Sequence, residues 1–135
     1  MVRRALPLVG IAAMLLVGCK QRLAHDDLVG TYRLNRPGAE DVLVLNGGGR
    51  YVHRFTPADG STSADSSTWT LEEHDGEQRI VFSDFLMRAP KEDDTTRTQV
   101  RGFWAALVSP ARSGDVRLLV NDDLGWYYVR EAASR

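Results

Sequence analysis

Few side chains in this sequence have types and spacings that could do chemistry. Histidine stands only at His25, His53 and His74, and cysteine only at Cys19. A hydrolytic triad needs a nucleophile, a base and an orienting group gathered in one cleft. Serines crowd residues 61–67, yet none has a Gly-x-Ser-x-Gly setting. His25 precedes the first strand-like run and His74 adjoins Asp75-Gly76, so only His53 falls within an alternating segment. It reads as a strand histidine at the surface or at a barrel end, with a catalytic base as the lesser alternative; no catalytic residue is assigned. His25-Asp26-Asp27 and His74-Asp75 offer nitrogen and oxygen ligands, but a zinc site takes three or four with a supporting shell. Neither stretch has His-x-x-x-His or paired-Cys spacing. Asp93-Asp94 and Asp122-Asp123 lack the alternating oxygens and the glycine of a calcium loop. Gly47-Gly48-Gly49 has no following Lys-Ser/Thr and no helix, so it is turn chemistry and not a phosphate cradle. No metal and no cofactor is expected.

The surroundings of Cys19 say more. Arg3 and Arg4 give a positive start, Leu6 to Val17 an apolar run, and Gly18 a small residue before the cysteine. That is the layout of a secretory signal with its cleavage site. The run falls well short of the roughly 20 apolar residues that span a bilayer as a helix. Leu16-Val17-Gly18-Cys19 resembles the lipobox of bacterial lipoproteins. The resemblance implies cleavage between Gly18 and Cys19, thioether lipidation of Cys19 with palmitate-type acyl chains, and tethering to the lipid bilayer. Lys20 stands where inner-membrane lipoproteins usually carry Asp, which leans towards the periplasmic face of the outer membrane in a Gram-negative envelope. The polar and aromatic residues of a twin-arginine signal are missing around Arg3-Arg4. The chain thus divides into a signal peptide, 1–18, a lipidated tether, 19–27, a β domain, 28–131, and a frayed tail, 132–135.

Composition bounds that domain. Residues 19–135 suffice for one domain and are too few for two comfortable ones. Charged residues make up 26% and hydrophobic ones 43%, as in an ordinary globular chain. Loss of Arg3 and Arg4 leaves the mature chain more acidic than the formal −1 of the whole. Such a balance gives no electrostatic reason to seek nucleic acid. The single cysteine excludes an internal disulfide, so a core must hold the fold.

The elements follow from alternation and turn residues. Asp26-Asp27-Leu28 suits one helical turn before the first strand, Leu28 to Leu34. Asp41 to Leu45 and Arg50 to Thr56 flank Asn46-Gly47-Gly48-Gly49, the strongest hairpin signal here. Within the second arm Tyr51, His53 and Phe55 share one face. Residues 57–66 read as a polar loop. Ser67 to Glu73 and Arg79 to Phe82 form a second hairpin around Asp75-Gly76, and 85–96 reads as the longest connection. Phe103 to Val108 suits a buried strand, beginning near Gln99 at the earliest. Asp115 to Asn121 and Trp126 to Arg130 form the last hairpin.

Eight short strands with tight turns predict an all-β antiparallel meander, a closed or half-open small barrel, with a β-sandwich as the alternative. Leu28-Val29-Gly30-Thr31-Tyr32, the hairpin into Tyr51, Thr68-Trp69 and Leu124 to Arg130 resemble small bacterial lipoproteins with lipocalin-like domains. That resemblance implies a fold and not an activity. The aromatic residues suffice to fill an eight-stranded interior. Against that filled core stands a shallow apolar ligand pocket between Trp69, Trp104 and Trp126. The expected function is a membrane-anchored envelope lipoprotein without enzymatic activity, contacting an envelope protein partner through an edge strand or the 85–97 loop. The alternative is binding of a small hydrophobic ligand in the barrel mouth.

Overall fold

A computed structural model describes residues 21–89, 98–110 and 115–132. Leu16 to Cys19 and the acidic run Glu92-Asp93-Asp94 lie outside the described residues. A short 3-10 turn, His25–Leu28, leads into eight strands: β1 Gly30–Leu34, β2 Ala39–Leu45, β3 Arg50–Pro57, β4 Ser63–His74, β5 Glu77–Ala89, β6 Thr98–Pro110, β7 Val116–Asn121 and β8 Trp126–Arg130. Each strand pairs antiparallel with its chain neighbours, and β1 pairs β8 to close the barrel. The meander expectation holds in its closed form, and the sandwich is excluded.

The turns explain the register. Asp75 and Gly76 both have positive φ, 51° and 77°, the requirement of a two-residue hairpin whose twist matches its strands. Gly49, at φ 72°, ends the Asn46 turn, and its amide donates to Asn46 O at 3.1 Å. From these fixed points the two-residue period sets the faces. Tyr32, Leu43, Leu45, Tyr51, Phe55, Trp69, Ile80 and Phe82 point inward and are buried. Arg33, Glu40, Arg54 and Glu72 are exposed on the outer wall. A membrane-spanning barrel would carry its apolar band outward; here the apolar side is inside.

Three strands are longer than alternation alone predicts. β4 begins at Ser63, so the expected polar loop 57–66 is partly strand. β5 runs on to Ala89, and β6 starts at Thr98. The cause in β5 is a bulge between Phe82 and Phe85, with Asp84 at φ 54°. One extra residue resets the alternation, so Phe82 and Phe85 both face inward although three positions apart. Arg101 holds the bulge from outside by donating to Asp84 O and Oδ2 at 3.3 and 2.9 Å.

The two ends of the barrel differ. At the end where the chain enters, the 3-10 turn plugs the interior with fully buried Leu28. Tyr32 Oη donates to Leu28 O at 2.6 Å. Gln78 clamps Leu23 by both its amide atoms, at 2.9 and 2.8 Å. Among the described residues no such plug closes the opposite end, between the turns at 35–38 and 122–125.

Candidate functional site

The open end leads into a cavity of about 300 Å³. Its walls come from β1, β5, β6, β7 and β8, with Leu34, Phe85, Leu86, Trp104, Val120 and Trp126 among the apolar residues. Phe85 is the pivot of the aromatic wall: its ring lies 4.6 Å from His53 and 4.7 Å from Trp104, centroid to centroid. The bulge in β5 is what aims it there. Arg36, in the β1–β2 turn, lies over the rings of Phe55 and Trp126 at 5.4 and 5.3 Å. A guanidinium on aromatic faces is a favourable contact.

The floor is polar. Asp41 on β2 and His53 on β3 hold inward positions that their strands otherwise give to apolar residues, and Asp65 on β4 points inward behind His53, between Ser63 and Ser67 on the same face. His53 is 2% exposed. Its Nδ1 lies 3.0 Å from Asp65 Oδ1 and its Nε2 lies 2.8 Å from Asp41 Oδ1. Tyr128 on β8 donates its hydroxyl to the same Asp41 oxygen at 2.6 Å. The second Asp65 oxygen accepts from the Leu86 amide at 3.3 Å. That bond spans β4 and β5 where their backbone ladder has ended, since β4 pairs β5 only from Trp69 onward.

Protonation follows from the partners. Ionised carboxylates only accept, so an imidazole bonded through both nitrogens to two of them carries both protons. Burial pulls His53 towards its neutral form, but the hydrogen bonds and charges of Asp41 and Asp65 outweigh it and raise its pKa above the usual histidine value. Tyr128 is held neutral, its pKa pushed well up by burial and then by the Asp41 charge. With both nitrogens engaged, His53 serves as a fixed charge between two acids. Both of its N–H groups point at the carboxylates, so the imidazolium has no lone pair left to offer a cation.

The residues singled out from sequence are divided by the fold. Trp104 and Trp126 line the cavity. Trp69 does not: it is buried near the plugged end, where its Nε1 donates to Asn46 O and Arg50 O at 3.2 and 3.1 Å. The His25 ring stacks on it at 4.1 Å, with 5° between the planes. A pocket among all three tryptophans is therefore not formed, because Trp69 lies at the far end of the interior. His74 and Asp75 form an exposed pair in their turn, and His25 and Asp26 do so in theirs. Asp122 and Asp123 are exposed turn residues. His53 is neither at the surface nor free. Of its partners, Asp41 shares inward parity with Leu43, a usable signal in the sequence, whereas Asp65 lies among serines in the stretch expected to be a polar loop.

Comparison with protein-family models, curated proteins and solved structures gave no match.

Proposed function

We propose that this protein is a lipid-anchored envelope protein whose barrel binds a small molecule with an apolar body in its open-end cavity. The observation that carries the reading is the cavity itself. Its volume of about 300 Å³ lies at the lower end of the range for small-ligand sites, and it joins aromatic walls to a few convergent polar groups. A barrel evolved only as a packed scaffold has no need of a buried acid–histidine–acid cluster beneath an opening, since each such group is costly to desolvate. The anchor rests on the Leu16-Val17-Gly18-Cys19 motif. The second reading is contact with an envelope protein through an edge strand or the 85–97 loop: β1 and β8 close the sheet, but β4 and β5 pair each other only from Trp69 and Phe82 onward, which leaves backbone edges on both strands near the mouth.

The test uses the placement of the tryptophans. In a Trp69→Phe variant, the remaining indoles, Trp104 and Trp126, both line the cavity, so fluorescence reports its occupancy. A panel of small molecules with one aromatic or branched aliphatic body should contain members that shift or quench that emission saturably. A panel-wide absence of any saturable change would overturn the reading.

A further inference from the structure

The charge and the unused acceptor on the cavity floor narrow the ligand class. Two carboxylates and one imidazolium sum to −1, and moving a proton from His53 to either acid leaves that sum unchanged. Of the four carboxylate oxygens, Asp65 Oδ1 and Oδ2 are taken by His53 and Leu86, and Asp41 Oδ1 by His53 and Tyr128. Among the described residues, Asp41 Oδ2 accepts no hydrogen bond. Asp41 is 8% exposed and lines the cavity. That oxygen is not among the fully buried atoms left without a partner, so it meets solvent through the cavity, where an N–H brought by a ligand would take the place of water. Arg36, which also lines the cavity, lies on the Phe55 and Trp126 rings towards the mouth, so the negative surplus belongs to the floor and not to the cavity as a whole.

We propose that the cavity takes a small organic cation, a protonated amine on a single aromatic or compact apolar body, whose N–H donates to Asp41 Oδ2. The proposal rests on the cavity being a ligand site. A charge-assisted N–H···O⁻ bond is about twice as strong as a neutral one. Phe85 and Trp104 offer faces on which an ammonium is favourable. The volume admits about ten water-sized groups, enough for one ring with a short chain and far too little for a two-chain lipid.

The test is calorimetric titration of the full-length protein, in nonionic detergent, with three probes of matched shape: 2-phenylethylammonium, 2-phenylethanol and 3-phenylpropionate. The ammonium should bind at least tenfold more tightly than the alcohol, and the carboxylate most weakly. Asp41→Asn should remove the tenfold preference while alcohol binding persists. An ammonium no tighter than the alcohol in the unaltered protein overturns the cation assignment and leaves the cavity reading standing. A preference that survives in Asp41→Asn overturns the role of that oxygen. Should Asp41→Asn not fold, the wild-type ranking of the probes decides alone. Failure of all three probes at millimolar concentration overturns the cavity reading as well.

Discussion

Tyr128 Oη donates to Asp41 Oδ1 at 2.6 Å, tying the last strand to the second across the inside of β1. Both groups are nearly buried, so the bond is made in a medium that penalises its loss. Tyr128→Phe should lower unfolding stability by about 2 kcal/mol, the usual scale for a hydrogen bond to a charged group. Urea denaturation checks it. A loss below about 0.5 kcal/mol would mean that water replaces the hydroxyl without penalty.

Stability should also fall as the solution turns alkaline. The folded-state pKa of His53 is raised by Asp41 and Asp65 against the opposing effect of burial. A raised histidine pKa contributes stability that is complete below the unfolded value of about 6.5 and is lost as pH rises through the folded value. Between those points the limiting slope is about 1.4 kcal/mol per pH unit for one proton. The groups facing His53 are Asp41, Asp65 and Tyr128, with the Phe85 ring against its face. Denaturation midpoints across pH 6–9 should show the decline in the unaltered protein and a flatter profile in His53→Gln. Identical profiles for the two proteins would remove the imidazolium from the account.

Trp69 and the cavity should respond independently. Trp69→Phe removes a donor to two turn carbonyls and part of the ring that carries His25. Its cost should be about 2–3 kcal/mol by the scale of core truncation plus a lost hydrogen bond. Ligand affinity at the open end should move less than threefold. A larger affinity loss would place Trp69 in the ligand's surroundings after all.

Cys19→Ser should leave either an uncleaved chain or a soluble, unlipidated one, read by fractionation and intact mass. Full processing with unchanged partitioning would refute the lipid anchor.

Much of the architecture was legible because it is written in local residues. Asn46-Gly47-Gly48-Gly49 and Asp75-Gly76 mark hairpins wherever they stand, and the Tyr51, His53, Phe55 alternation fixes a face. What alternation could not supply was the break in β5, where Asp84 takes a positive φ and Phe85 turns inward. The site was hidden for a related reason. Asp65 lies in a Ser/Thr-rich stretch that has no apolar anchor, so its strand, and its inward direction, are set by pairing with β3. His53 opposite Asp65 is a register fact, and register across strands is not contained in either segment alone. Closure, too, depends on β1 meeting β8, the pairing most distant in sequence.

The clamp of Gln78 on Leu23 has a geometric consequence beyond fold stability. If Cys19 carries the acyl chains, four chain steps separate it from that clamped residue, a reach of about 14 Å even fully extended. So short a leash leaves the barrel little freedom to roll. Its plugged base would stand against the headgroups like a foot. The mouth would look away from the bilayer, open to solutes diffusing through the aqueous compartment and closed to lipids entering from the leaflet below.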